Sequence, residues 1–442
     1  MRARRHLMSS IAAVAAFLLL ATACTSGSSD KDGKDTSSST SLALKASARG
    51  VTADTITLAY TYLDFDALKQ QNLVKAGWGD QQATMQSLVD ALNADGGING
   101  RKVKVDYAPY SPVGTEAAEA ACLRLTKDTE VFAVLGGFLG PAEPANTCIV
   151  GGGDTILVGG VQSPERLAQA KAPWITDRAQ RSRKADILLS LLDSTDRISG
   201  AKVAVVTNTD AADIRSNVQK SLKTFHVDVV EDLVLDAPIG DIPAEDTAWG
   251  PLTERIRASG ANTVLIVGNP SSAIRNLASQ GLDVQLWATD EDTLNNLGAT
   301  VNPADAQGTL TATPPTPDGY WKGKDATWCR DAFEKAHPDV TIKSPKELGE
   351  NDEDWDSGLR NSCSFLTLFQ AVATKAGADL TNVSFSDAAR GMGEFSFGGF
   401  PYASLGKKTD ANDSFQLAEF QADVGAEGGL APITKIIDVT KK

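Results

Sequence analysis

The sequence predicts an α/β protein of two similar halves with parallel-sheet cores. Three observations predict it: short β-branched runs alternate with amphipathic helical patterns from Thr55 onward, the alternation restarts at Val203, and Pro- and Gly-rich crossings lie between and after the two series. Strands separated by helices of this length favour βαβ units, whose crossovers return the chain to the same end of a sheet.

In the first half, Thr55-Ile56-Thr57-Leu58-Ala59 reads as a strand. The segment 81–93 then places Met85, Leu88, Val89 and Leu92 on one helical face, and Gly96-Gly97 stops that helix. Val103, Val105 and Tyr107 alternate as a second strand, a helix over 115–127 leads into the apolar run 131–135, another helix follows Pro144, and 155–158 is the next strand. In the second half, strands at 203–206, 227–230, 263–267 and 285–288 accompany helices over 213–225, 252–259 and 271–280. A long helix over 357–376 separates the crossings Thr313-Pro314-Pro315-Thr316-Pro317 and Gly398-Gly399-Phe400-Pro401, where rigid turns favour a change of direction.

Ahead of this globular part stands an export signal, with Arg2, Arg4 and Arg5 before an apolar run from Ile11 to Leu20 and small residues at Ala21 and Ala23. The run is shorter than the roughly 20 apolar residues that span a bilayer. The Cys24 that follows makes the segment similar to a bacterial lipobox, which implies a diacylglycerol anchor on Cys24, although Ala21 stands where Leu is usual. An ordinary cleaved signal followed by an incidental Cys is the alternative. Residues 25–50 are rich in Ser, Thr, Gly, Asp and Lys, a composition that buries too little apolar surface to fold and so reads as a solvated tether.

The chain of 442 residues carries 42 Lys and Arg against 56 Asp and Glu. Loss of the three leader arginines makes the balance more acidic. Nucleic acid and anionic membrane surfaces both require a basic footprint and are disfavoured as partners. Besides Cys24, the cysteines are Cys122, Cys148, Cys329 and Cys363. In an exported chain this even number reads as two disulfides. Three connectivities are possible, and pairing within each local segment, Cys122 with Cys148 and Cys329 with Cys363, is the expectation. Their spacings do not suit zinc, and only His226 and His337 remain beyond the leader, so no metal or cofactor is expected.

The stretch Ala91-Leu92-Asn93-Ala94-Asp95-Gly96-Gly97-Ile98-Asn99-Gly100-Arg101 resembles the turn between first helix and second strand in the leucine/isoleucine/valine-type solute-binding proteins of ABC transporters, the type 1 periplasmic-binding-protein fold. Segments 131–137, 201–206 and 258–264 are also similar to that family, and the resemblance covers Val51 to about Thr440. It implies two Rossmann-like lobes joined by a three-crossing hinge, with crossings near 171–176, 308–315 and 399–405. The domains expected are a signal peptide at 1–23, a lipidated Cys and linker at 24–50, lobe 1 at 51–173 plus 310–400, and lobe 2 at 174–309 plus 401–442.

In open α/β sheets ligands sit beyond the carboxyl ends of the strands, where loops and helix N-termini present free N–H groups. This places candidate ligand contacts at Tyr60, Tyr62, Phe138, Leu139, Gly140, Gln162 and Ser163 in the first lobe and at Asn208, Asp210, Asn269 and Asp290 in the second. Asp290 aligns roughly with the acid that binds the ligand ammonium in amino-acid-binding relatives. Phe138-Leu139-Gly140-Pro141 and Gly159-Gly160-Val161-Gln162 replace their hydroxyl-rich carboxylate clamp. Each candidate has a structural counterpart: Tyr60 and Tyr62 could pack at a strand end, while Asp210, Asp290, Gln162 and Ser163 could cap the helices that follow. Tyr320 and Trp321 read either as closing the cleft or as exposed crossing aromatics.

No G-x-S-x-G elbow, P-loop or strand-linked G-x-G-x-x-G appears, so an enzyme is not expected. The function expected is that of a monomeric, lipid-anchored receptor on the outer face of the cytoplasmic membrane. It would close on a small polar ligand, an amino acid, amide or related molecule, and deliver it to an ABC permease. A sensory lipoprotein that reports occupancy without transport is the alternative.

Overall fold

The computed structural model describes residues 44–238, 240–297, 301–344, 347–424 and 428–441, with the side chain of Asp210 not described. The segment read as an export signal and Cys24 lie outside the described residues.

The chain begins with β1 (Thr55–Leu63), α1 (Phe65–Gln70), α2 (Gln81–Ala94), β2 (Lys102–Tyr110), α3 (Glu116–Leu123), β3 (Ala133–Gly136), α4 (Asn146–Gly151), β4 (Ile156–Gly159), α5 (Pro164–Gln169) and β5 (Trp174–Ile175). These strands form one parallel sheet in the order β2-β1-β3-β4-β5. Its central strands β3 and β4 are buried throughout, as expected where helices cover both faces of a parallel sheet.

There follow α6 (Arg181–Ser194), β6 (Lys202–Asn208), α7 (Arg215–Thr224), β7 (Asp228–Leu235), α8 (Ile242–Ser259), β8 (Thr263–Val267), α9 (Ser271–Ser279), β9 (Gln285–Ala288), α10 (Glu291–Asn295) and β10 (Leu310–Thr313). The last part holds α11 (Pro317–Tyr320), α12 (Lys324–Ala336), α13 (Trp355–Ala376), α14 (Asn382–Arg390), β11 (Glu394–Phe397), β12 (Phe400–Ser404), β13 (Ser414–Gln421), β14 (Gly429–Pro432) and β15 (Ile437–Asp438). The second sheet runs β14-β13-β10-β9-β8-β6-β7, with β15 also on β13. Strands β7 to β10 and β6 are parallel, whereas β13 enters antiparallel to β10.

Helices α2, α12, α13 and α14 return to cover one face of the first sheet, burying Leu88, Phe333, Phe369 and Phe385 with Ile56 and Leu135. The other face packs Leu125, Ile149 and Val150 under α3 and α4. Cys122 on α3 is disulfide-bonded to Cys148 on α4, and Cys329 on α12 to Cys363 on α13, so each expected pair ties neighbouring helices on one face. Among the described residues no helix is long and apolar enough to cross a membrane.

The chain passes between the sheets after β5, after β10, and between β12 and β13. The lobe boundaries therefore fall later than the sequence suggested. Trp174 and Ile175 belong to the first sheet, where they pair with Leu157 and Val158. Leu310–Thr313, expected in lobe 1, pairs with β9 and β13 in the second sheet, because only there can it bury Leu310 and Ala312. β12 stays with the first core, where Phe400 and Ala403 pack. α8 begins ten residues before the expected start, since Asp241 caps it and Pro251 lies inside it. Burial of Trp249 and Ile256 against the second sheet outweighs the missing N–H of that proline.

Candidate functional site

The carboxyl ends of β1, β3 and β4 converge on the first-lobe side of the space between the sheets. Close backbone passage there requires glycine: a Cβ at Gly136, with φ of 98°, would lie 2.4 Å from the Thr61 carbonyl, and one at Gly159, with φ of 122°, would lie 2.4 Å from the Gly136 carbonyl. The buried Asn146 amide locks the next loop, accepting from the Phe138 N–H and donating to the Phe138 carbonyl, each at 2.8 Å. That lock directs the Phe138 ring inward, edge-on to Tyr110 in the core. Phe138 is thus a core residue, not the pocket wall that the sequence suggested.

Between the sheets lies a cavity of about 560 Å³, within the roughly 300–1,000 Å³ of small-molecule sites. Four groups of residues line it, the first being Gly160, Val161 and Gln162 after β4. The first crossing contributes Thr176, Asp177, Arg178 and Gln180, and α6 adds Arg181 and Lys184. The second lobe contributes Gly268, Thr289, Asp290 and Glu291. The returning segments contribute Tyr320, Arg360, Asn361, Ser364 and Phe400.

The wall between the crossings is tied together. Thr176 donates its N–H to the Thr409 carbonyl at 2.9 Å and accepts at its own carbonyl from Ala411 at 2.7 Å, joining the first crossing to the third. Gln162 donates to the Trp174 carbonyl and accepts from Gln180 Nε2 at 3.0 Å and Thr409 Oγ1 at 2.8 Å. It lines the cavity, but as a brace between crossings. Beneath them Arg183 pairs with Asp410 and, at 3.0 Å, with Asp413, while Lys408 sits 3.2 Å from Asp413. Burial opposes charge on Arg183, and the two aspartates outweigh it and hold its pKa up.

On the second-lobe wall, Asp290 caps α10, accepting from the Thr293 N–H at 3.3 Å and the Thr293 hydroxyl at 2.7 Å. Lys184 lies 2.9 Å from Glu291 and 4.0 Å from Asp290. Burial alone would lower the Lys184 pKa, but the carboxylates around it raise it, so the lysine stays charged. Opposite, the buried Tyr320 hydroxyl donates to the Arg360 carbonyl at 3.0 Å and lies 2.8 Å from Ser364 Oγ. Arg360 lies 5.9 Å from the Tyr320 ring centroid and is paired with Asp356 at 2.6 Å. Tyr320 is therefore neither exposed nor a lid; it is a buried part of the wall.

Beside the cavity is a smaller pocket of about 20 Å³, lined by Tyr60, Tyr62, Trp78, Tyr110 and Leu139. Arg178 and Asn361 border both spaces. Tyr60 stacks on Tyr62 with centroids 5.4 Å apart, and its hydroxyl, 3.2 Å from Ser362 Oγ, is pushed up to about 12 by burial. The remaining candidates do not line the cavity. Gly140 is exposed, Ser163 caps α5 by accepting from the Arg166 N–H, and Asn208 donates to the Asn269 carbonyl at 2.6 Å. The Asp210 side chain lies outside the described residues. Asp177, Arg178 and Asn361 were missed because crossing and helix positions carry no strand-end signal. The charged run following Ile175 was the available clue.

The sequence profile of the periplasmic binding protein family matches residues 76–425. The chain belongs to that family. Solved structures share its fold of two lobes with parallel-sheet cores. The closed leucine-, isoleucine-, valine-, threonine- and alanine-binding protein of Brucella ovis is 14% identical, with 88% of this chain and 96% of that one covered at a TM-score of 0.59. An ABC transporter substrate-binding protein of Desulfitobacterium hafniense in complex with Leu is 14% identical over 86% of this chain and all of that one, at 0.56. A solute-binding protein of an R. palustris ABC transporter, in complex with 4-hydroxybenzoate, is 16% identical over 87% and 97%, at 0.53. No curated protein sequence matches.

Proposed function

We propose that this periplasmic binding protein is the solute receptor of an ABC importer, closing its lobes on a small polar ligand and handing it to a permease. The observation that carries this reading is the cavity of about 560 Å³ walled by both lobes and by the crossings that join them. A ligand there touches both walls at once, so its contacts favour the closed state and shift the population toward it. Tyr62 and Leu139 serve as contacts at the mouth of the smaller pocket, which has room for about one water, while Tyr60 packs in the first core behind Tyr62. The protein acts as a binder and carries out no chemistry. Cys24 bears the lipid anchor, and the tether behind it keeps the receptor within reach of the permease.

The test is a thermal-shift screen of the mature protein with amino acids, amides, polyols and aromatic acids, followed by calorimetry on each hit. At least one compound is expected to raise the melting temperature and to reduce the radius of gyration in solution scattering. Binding with no compaction would remove the closing mechanism, and absence of any binder would remove the receptor function. For the anchor, Cys24→Ser is expected to move the full chain from the membrane fraction to the soluble fraction; unchanged partitioning would show that Cys24 is not lipidated.

A further inference from the structure

The five carboxylates on the described cavity wall differ in how their charge is met. Glu143 is paired with Arg166 at 2.7 Å, and Glu291 with Lys184 at 2.9 Å. Asp290 spends both oxygens on Thr293 and shares the Lys184 charge, while Asp292 is exposed to solvent. Asp177 is different. It is only 7% exposed, lines the cavity, and makes no ion pair among the described residues; its one side-chain hydrogen bond is a long one of 3.5 Å from Thr176 Oγ1.

A buried carboxylate without a cation is costly, and the cost is removed when a charged donor arrives. The neighbouring Arg178 guanidinium faces the same cavity but does not close on Asp177 as an ion pair. The Tyr320 hydroxyl, which could donate to an acid nearby, is committed to the Arg360 carbonyl and Ser364. Thr176 and the nearby Arg178 charge meet Asp177 only in part, and no cation among the described residues pairs with it.

On the receptor reading above, we infer that Asp177 at the first crossing, and not the second-lobe Asp290, binds a positively charged amine of the ligand. The amine donates its N–H bonds to the Asp177 carboxylate, and Tyr320 forms the apolar wall beside it. Because Asp177 sits on the segment that joins the lobes, the bound amine lies at the pivot, where it contacts the crossing in open and closed states alike. Second-lobe contacts then add on closure.

The test uses the mature protein with leucine, glutamate, phenylalanine and γ-aminobutyrate, each beside the same molecule lacking its amine, measured by thermal shift and calorimetry. Wild type is expected to favour an amine-bearing probe over its amine-free counterpart. Asp177→Asn is expected to weaken that probe by roughly 10–100-fold, the scale of one charge-assisted hydrogen bond, with no weakening of the amine-free counterpart. Asp177→Glu should recover part of the preference. A preference unchanged in Asp177→Asn would overturn the assignment and leave the receptor function standing. Equal binding of the paired probes by wild type would do the same without any variant. Binding of no amine-bearing probe by a wild type that does bind an amine-free compound in the wider screen would overturn the assignment and leave the receptor function standing.

Discussion

The direction of Phe138 is decided by hydrogen bonds of its own backbone. Asn146 holds the N–H and carbonyl on either side of its Cα, and the ring is left to the core against Tyr110. Phe138→Ala is therefore expected to cost about 3–5 kcal/mol of unfolding free energy by denaturant titration, with ligand affinity of the folded protein unchanged. Asp177 makes the opposite case, a polar side chain held where the fold does not satisfy it. Burial raises its pKa, and Arg178 and Thr176 only partly offset this. A carboxyl whose folded pKa lies above its unfolded value opposes folding once ionised, and ceases to do so below the unfolded pKa. Asp177→Asn should accordingly raise the melting temperature of the ligand-free protein at about pH 7 and leave it unchanged near pH 3, below the ordinary aspartate range. A lower melting temperature at neutral pH would show instead that the carboxylate is a structural partner.

Among the elements, α12 and α13 bear most on the cavity. Helix α13 brings Arg360, Asn361 and Ser364 to the wall from its N-terminal half, while its C-terminal half packs Phe369 and Val372 into the first core. The Cys329–Cys363 disulfide fixes α12 against it across 34 residues. A loop of that length implies about 3–4 kcal/mol of stabilisation through the unfolded chain. Replacing both cysteines by Ser should remove that amount in denaturant unfolding, and reductant should then have no further effect at this pair. Both Cys329 and Cys363 are fully buried, so reduction of the native protein is expected to require opening of these helices.

For the whole molecule, the first and third crossings are one structure and not two independent strands. Thr176 bonds to 409 and 411 on the third crossing, Gln162 braces Gln180 and Thr409, and Arg183 holds two aspartates that are 0% and 1% exposed. Removing the arginine leaves two buried charges with only Lys408 to meet them. Arg183→Ala is expected to cost about 3–5 kcal/mol, and a loss under 1 kcal/mol would show that water enters the crossing freely.

Much of the fold was legible. Met85, Leu88 and Val89 mark α2 by period, and the limits of β8 and β9 coincide with runs that could only be strands. Of the three cysteine connectivities open to the sequence, the structure has the expected local one. Legibility failed where partners are distant in sequence: Pro251 masked the first half of α8, and β10 could not be assigned to a lobe before β13, a hundred residues later, was seen beside it. The same division runs through the candidate site. Strand ends and capping residues are local, so sequence alone located two of the cavity-lining loops, those of Gln162 and Asp290, but not the crossing and helix positions Asp177, Arg178 and Asn361. Whether a side chain on such a loop meets the ligand, the core or another crossing depends on what the rest of the chain brings to it. Asn146 turned Phe138 away, Lys184 paired with Glu291 beside Asp290, and the first crossing holds Asp177 buried without an ion pair, because burial and charge balance are properties of the assembled cavity and not of any segment that lines it.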